Sequence, residues 1–144
     1  MVDVSAKEET VRTARARGNI RMTMAAFEAI RSQQIAKGDV LSVARVAGIM
    51  AAKRTAELVP LCHPLLLEDV QVELTADAGL PGIVAESLVR TTGRTGVEME
   101  AIVAVSVALV TVYDMAKSAD RGMVIGDISL AEKTGGRSGT YVKH

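Results

Sequence analysis

The chain contains one cysteine, no tryptophan and very few other aromatic residues. Of its 144 residues, two are Tyr and one is Phe. Because Cys62 is the only cysteine, an internal disulfide is excluded and a reducing compartment is expected. Few aromatic rings are present on which unpaired bases could stack, which argues against a protein that binds single-stranded nucleic acid. The core must therefore be built mainly from Ala, Val, Leu, Ile and Met.

A net charge is also lacking, since 17 Lys and Arg balance 17 Asp and Glu. The molecule as a whole should not be attracted to nucleic acid or to a membrane surface. The opening MVDVS contains no apolar signal segment, and the longest uncharged run, 101–113, is shorter than the roughly 18 residues that a membrane span needs. We therefore expect a cytoplasmic protein that forms a single domain over 1–144.

The hydrophobic pattern predicts strands and helices in alternation. The charged first 18 residues are expected to form an arm, followed by a strand at 19–24, helices at 25–34 and 40–57, a hairpin of strands at 70–75 and 83–91, a helix at 97–118 and a strand at 124–133. Thr23 and Asp39 are suitable N-caps for the first two helices. This order predicts an α+β fold, a ferredoxin-like α/β sandwich with an antiparallel sheet.

The helix at 97–118 is charged only at its ends. A helix that is apolar on every side must be buried on every side, and one sheet cannot cover it, so we expect an oligomer. Glu100 and Asp114 share a side of this helix but lie about 21 Å apart along its axis. They can serve one site only if an antiparallel neighbour brings its Asp114 beside Glu100, or if one ligand spans the gap. Asp114 and Lys117 can pair, and an ordinary surface salt bridge remains the alternative.

Two segments share the pattern glycine, arginine, hydroxyl residue, glycine. They are GRTG at 93–96, just before the long helix, and GRSG at 136–139. Each offers backbone N–H groups, a hydroxyl and a guanidinium, which together suit a phosphate or carboxylate. Neither has the spacing or the lysine of a Walker loop, and either alone could be a plain turn. Their repetition in so small a chain predicts a phosphorylated ligand.

Pro60 and Pro64 fix the backbone around Cys62 and His63. Adjacent side chains in an extended segment point apart, so these two form a poor nucleophile–base pair. One cysteine and two histidines are too few for a metal site, and none is expected. A buried structural histidine and a positioned proton donor both remain open.

Five segments taken together resemble one known family. They read AGIMAAKRT (47–55), PLCHPL (60–65), TGRTGVEMEA (92–101), YDMAKS (113–118) and GGRSG (135–139). In this order they are similar to the cyclic pyranopterin monophosphate synthases, the MoaC-type enzymes of molybdenum cofactor biosynthesis. The opening MVDVS and the KGD at 37–39 resemble the same family. The resemblance covers nearly the whole chain.

The resemblance implies a homohexamer, a trimer of dimers with active sites where subunits meet. It implies conversion of (8S)-3',8-cyclo-7,8-dihydroguanosine 5'-triphosphate to cyclic pyranopterin monophosphate with release of pyrophosphate. No tightly bound cofactor is implied, although Mg²⁺ could accompany the triphosphate. The implied catalytic residues are Asp114, Lys117, Lys37 and His63. The implied substrate-binding residues are Leu61, Cys62, His63, Glu98, Met99, Glu100, Arg12, Lys53, Lys133 and Arg137.

Two points keep other interpretations open. Arg137 stands where the family often has lysine, so a role that requires a lysine to lose its proton is in doubt there. Lys37 and Lys53 could simply extend into solvent from helix ends. The rival functions are a non-catalytic anion or nucleotide sensor, which needs only the arginine turns, and a hydrolase dependent on Cys62.

Overall fold

The computed structural model describes all 144 residues and forms one antiparallel sheet with helices packed against it. The strands are β1 (Thr10–Arg21), β2 (Asp69–Asp77), β3 (Gly82–Gly93), β4 (Val124–Thr134) and β5 (Tyr141–Val142). The helices are α1 (Met24–Arg31), α2 (Val40–Ala52), α3 (Thr55–Leu58) and α4 (Glu98–Ala116). The prediction of an α+β fold with an antiparallel sheet is confirmed.

The sheet order β2-β3-β1-β4-β5 decides where the chain's turns lie. One βαβ unit runs from β1 to β2 and the other from β3 to β4. The strands of the two units alternate in the sheet, because β3 lies between β1 and β2, and β1 lies between β3 and β4. Thr10 pairs with Gly93 and Thr13 pairs with Thr134. The start of β1 and the ends of β3 and β4 therefore meet at one end of the sheet, and both glycine–arginine turns leave from that end.

The core lies between the sheet and the helices α2 and α4. Ala14, Ala16 and Ile20 point from β1 into this layer, following the alternation of a strand with one buried face. Gly48 lets α2 approach α4 closely, since a Cβ there would lie 2.8 Å from the carbonyl oxygen of Ala104. The core uses small side chains, and this allows close contact between the two helices.

Part of the helix layer remains uncovered in a single chain. Val43, Val46 and Met50 of α2 are exposed at spacings of three and four residues, and Val110 of α4 is exposed as well. The expectation that α4 is buried on every side is therefore not met within one subunit. By length and composition alone α4 could cross a membrane, but in this fold it is the central core helix against the sheet.

The predicted arm over the first 18 residues is wrong from residue 10 onward. Thr10–Arg21 is the central strand, hydrogen-bonded to β3 and β4, and not a short strand at 19–24. Its buried positions are Arg12, Ala14, Ala16, Gly18 and Ile20, and only Ile20 is a large apolar residue, so the strand gives a weak hydrophobic signal. Its outward Arg15 and Arg17 form salt bridges with Glu132 and Glu86 on the open face of the sheet.

The helix predicted at 40–57 is also interrupted. It ends at Ala52 with Lys53 as its C-cap, and a separate short helix, α3, follows. Both predicted N-caps are confirmed, because Thr23 accepts a hydrogen bond from the Ala26 N–H and Asp39 accepts one from Ser42. The short pair formed by β5 with β4 was not predicted from the sequence.

Candidate active site

The two glycine–arginine turns meet across one polar cavity of about 640 Å³. No apolar side chain lines it. Four cationic side chains do, and they are Lys7, Arg12, Lys133 and Arg137. Two carboxylates, Glu8 and Glu98, lie among them. The two anion-binding turns suggested by the sequence are thus two walls of a single site.

Arg12 connects the two turns. Its Nε donates to the carbonyl oxygen of Gly93 at 2.8 Å and its Nη2 donates to that of Arg94 at 3.2 Å. On the other side its guanidinium lies against Gly136, where a Cβ would collide with Nη1. Arg12 is only 9% exposed, yet no carboxylate lies within salt-bridge distance of it. A buried cation without an anionic partner is costly, so this guanidinium is suited to bind an anion.

The second turn needs glycine for its backbone conformation. Gly135 and Gly136 have φ values of 90° and 76°, in the region that side chains with a Cβ rarely adopt. A Cβ on Gly135 would also collide with the carbonyl oxygen of Val11. The turn therefore packs directly on the start of β1, which brings Arg137 and Ser138 to the cavity beside Arg12.

A second cavity of about 340 Å³ adjoins the first and is less polar. It is lined by Leu61, Cys62 and His63, which lie between the two prolines of 60–64, and by Met99 and Glu100 of α4. Both cavities share Lys7, Thr95, Gly96 and Glu98 as lining residues. A ligand with a charged tail and a flat, partly apolar head could therefore occupy both at once.

Two titratable groups in this second cavity stay protonated more readily than usual. Burial raises the pKa of the Glu100 carboxyl, which is 4% exposed, and the nearby charge of Glu98 raises it further. Burial raises the pKa of the Cys62 thiol, and Glu100 adds to that effect. A neutral thiol is a poor nucleophile, so the geometry does not favour a cysteine-dependent reaction.

A third group lies at the other end of α4. The Asp114 carboxylate accepts hydrogen bonds from Lys117 at 2.7 Å and from Lys37 at 2.9 Å. Lys37 also donates to the Asp114 backbone carbonyl at 3.2 Å. These two ammonium groups, Lys117 first, lower the pKa of Asp114 to about 2. The group is therefore a carboxylate held between two cations at neutral pH.

The sequence-based site residues thus fall into two separate groups. Arg12, Glu98, Lys133 and Arg137 lie at the polar cavity, and Leu61, Cys62, His63, Met99 and Glu100 lie next to it. Lys53 lies in a smaller cavity that also touches Glu100. Asp114 lies 14 residues along α4 from Glu100, which is about 21 Å at the helical rise, and Lys37 and Lys117 bind Asp114 there. One subunit does not bring them together.

Sequence reasoning missed Lys7, Glu8 and Thr10 of the polar cavity. Lys7 was assigned to an arm, yet it lines both cavities. The Thr10 hydroxyl also lines the polar cavity, and it is buried without a hydrogen-bond partner. Had β1 been recognised as a strand that begins at Thr10, the closeness of Lys7 and Thr10 to Arg12 in the sequence would have placed both residues at this cavity.

Comparison with known proteins agrees with the layout of these segments. A family model described as the MoaC family matches residues 1–136. The chain belongs to the MoaC family. The resemblance found in the sequence is thereby confirmed, and the residues grouped above lie within the matched region, except Arg137, which follows directly after it.

Two curated relatives extend this comparison. The chain is 58% identical over 143 residues to the cyclic pyranopterin monophosphate synthase of Heliobacterium modesticaldum (strain ATCC 51547 / Ice1), covering 99% of this chain and 90% of that protein. It is 62% identical over 141 residues to the protein of the same name from Methylobacterium sp. (strain 4-46), covering 98% and 88%. This MoaC-family chain therefore corresponds to these enzymes over almost its whole length.

Proposed function

We propose that the chain converts (8S)-3',8-cyclo-7,8-dihydroguanosine 5'-triphosphate to cyclic pyranopterin monophosphate and pyrophosphate. This is a phosphorus–oxygen lyase step of molybdenum cofactor biosynthesis. The observation that carries the proposal is the buried guanidinium of Arg12, which has no anionic partner and lies between two glycine–arginine turns. The two relatives are named as synthases of the same product, cyclic pyranopterin monophosphate.

The polar cavity suits the triphosphate. At neutral pH such a group carries about four negative charges, and guanidinium and ammonium groups bind phosphate oxygens strongly. Lys7, Arg12, Lys133 and Arg137 supply four positive charges. The free N–H groups at the start of α4 add to them, because Val97 at the N-cap offers no side-chain bond.

Release of pyrophosphate requires positioning and charge stabilisation more than covalent catalysis. A hydroxyl oxygen of the substrate attacks the α-phosphorus and gives up its proton to a base. The bond from that phosphorus to the bridging oxygen breaks, and pyrophosphate leaves with the electron pair. The cations of the polar cavity stabilise the charge that develops on the leaving oxygens. Mg²⁺, where it accompanies the triphosphate, enters as part of the substrate.

The ring chemistry requires groups that give and accept protons. The cavity beside the phosphates offers Glu100, whose pKa is raised by burial, and His63. Leu61, Cys62 and Met99 would contact the ring, and Lys53 would approach from the side of Glu100. Asp114, Lys37 and Lys117 form the second set of acid–base groups, an ionised carboxylate beside two ammonium groups.

Within one subunit the two sets lie about 21 Å apart along α4, so they act on one substrate through different subunits unless a single ligand spans that gap. We therefore propose a homohexamer, a trimer of dimers of ferredoxin-like subunits, with each active site at an interface. The 21 Å separation along α4 supports this, and so do the exposed Val43, Val46, Met50 and Val110. A cytoplasmic location, in keeping with the single unpaired Cys62, completes the proposal.

The direct test is turnover. Purified chain incubated with the cyclised triphosphate should release one pyrophosphate per cyclic pyranopterin monophosphate formed, as followed by a coupled phosphate assay and by mass spectrometry. A sensor that uses only the arginine turns would bind the substrate and release nothing. Tight binding without pyrophosphate release would therefore contradict the proposed reaction.

A further prediction separates this function from that of a cysteine-dependent hydrolase. Cys62→Ser should keep kcat within about threefold of wild type, because the thiol is neutral and acts at most by contact. Pyrophosphate release under saturating substrate is the measurement. A loss of several orders of magnitude, together with a covalent adduct on Cys62 seen by mass spectrometry, would favour the hydrolase instead.

A further inference from the structure

A carboxylate inside an anion-binding cavity needs a physical explanation. Glu98 lines the polar cavity and would repel a polyphosphate. Its Oε1 lies 3.1 Å from the Lys133 ammonium, and the two side chains are 29% and 19% exposed. Every other salt bridge of the chain has both side chains at least 42% exposed. The pair is therefore the one ion pair that solvent screens least.

Lys133 is held from two sides. Besides the salt bridge with Glu98 in the first turn of α4, its ammonium donates to the Ser138 hydroxyl at 2.6 Å. Ser138 belongs to the second glycine–arginine turn, whereas Glu98 follows directly after the first. The ammonium thus connects both walls of the cavity, and its third N–H remains available for a phosphate oxygen.

Gly96 shows that the Glu98 side chain has a defined place. Its φ is not in the left-handed region, so no conformational demand requires glycine there. A Cβ on Gly96 would instead collide with the Glu98 carboxylate, which folds back over the backbone of the first turn. The glycine therefore makes room for the carboxylate, and the carboxylate in turn fixes the ammonium.

We propose that Glu98 is a positioning residue that holds the Lys133 ammonium in place for the phosphates, rather than a group that contacts the substrate. This inference rests on the proposed function and refines the role that the family resemblance implies for Glu98. Loss of Glu98 should leave the Lys133 ammonium held only by the Ser138 hydroxyl, and a displacement of about 1 Å can lower the rate by up to roughly 100-fold. The KM should change little, because two effects on substrate binding oppose each other. Removing the negative charge of Glu98 reduces repulsion of the phosphates, whereas a less well-positioned Lys133 ammonium binds them less strongly.

The test is a double-mutant cycle on kcat. Glu98→Gln should lower kcat by about 10- to 100-fold with KM within about threefold. Combined with Lys133→Met, it should cause less than about a twofold further loss, because its effect acts through that lysine. Single-turnover pyrophosphate release keeps even slow variants measurable. Additive effects in the cycle, or a rise in KM that persists without Lys133, would overturn the proposal.

A glycine pair provides an independent arm should Glu98→Gln fold poorly. Gly96→Ala should reproduce the loss in kcat, since the added methyl displaces the carboxylate. Gly126→Ala is the matched control, because a Cβ there meets no atom within 4 Å, and it should behave as wild type. Equal activity of both alanine variants would contradict the inference while leaving the proposed function intact. A wild-type chain without turnover would contradict both.

Discussion

Asp114→Asn should lower kcat by at least about 10²-fold without unfolding the protein. The substitution keeps the size of the side chain and removes the charge that pairs with Lys37 and Lys117. The carboxylate is exposed in the subunit, so its loss should change stability little. Pyrophosphate release gives kcat, and thermal unfolding followed by far-UV circular dichroism reports the fold.

The pH dependence of this group has a definite sign. Lys117 and Lys37 lower the Asp114 pKa from 3.8 to about 2, so the folded state binds this proton more weakly than the unfolded chain does. The stabilisation from this group is therefore complete above about pH 4 and is lost as the pH falls toward 2. We therefore expect Asp114 to be ionised above about pH 4, where it acts as a base or as a charge partner. An acidic limb of the activity profile above pH 4 is expected to come from another group.

Controls can be taken from the same chain. Asp77→Asn changes an exposed carboxylate in the hairpin, where Asp77 only accepts the Gly79 N–H, and activity should remain at the wild-type level. Lys117→Ala should lower kcat about as much as Asp114→Asn does, because it removes the ammonium that makes the shorter hydrogen bond to the Asp114 carboxylate. Turnover like that of the wild type in either Asp114→Asn or Lys117→Ala would refute the assignment.

Two inactive variants should restore each other when they are assembled together. Asp114→Asn leaves the polar cavity intact, while Arg12→Met leaves the Asp114 group intact. We assume that each site combines the polar cavity of one subunit with the Asp114 group of another. Random assembly of the two variants then leaves about a quarter of the sites with both parts intact. Co-expression with two different affinity tags, followed by tandem purification, yields the mixed oligomers whose pyrophosphate release is measured.

The control for this experiment combines two variants of the same half. Arg12→Met mixed with Lys133→Met should stay inactive, because a cavity taken from either subunit then carries one of the two defects. Recovery in the first mixture alone is the expected result. If no mixed oligomer regains activity, or if the wild-type protein is a monomer in solution, the proposal of a shared site fails.

Much of the architecture could be predicted from local patterns. The hairpin β2–β3, the long helix and both N-caps follow from alternation, periodicity and side chains that satisfy free N–H groups. The arm was mispredicted because four of the five buried positions of β1 are alanine, glycine or arginine, and its outer face carries further arginines. Such a strand is held by pairing with two neighbours, which a local hydrophobic pattern does not contain.

By itself, the sequence determined the family, the fold class and the residue types at the site, including the two glycine–arginine turns. Those follow from short segments whose chemistry is local. Only the tertiary structure decided that both turns enclose one cavity around Arg12. The pairing of β1 with β3 and β4 brings the ends of those two strands, and the turns that follow them, to the start of β1. It also showed Lys133 bound between Glu98 and Ser138, and Asp114 far from both. Contacts between residues distant in sequence depend on strand register and on helix length, and no single short motif determines either of them.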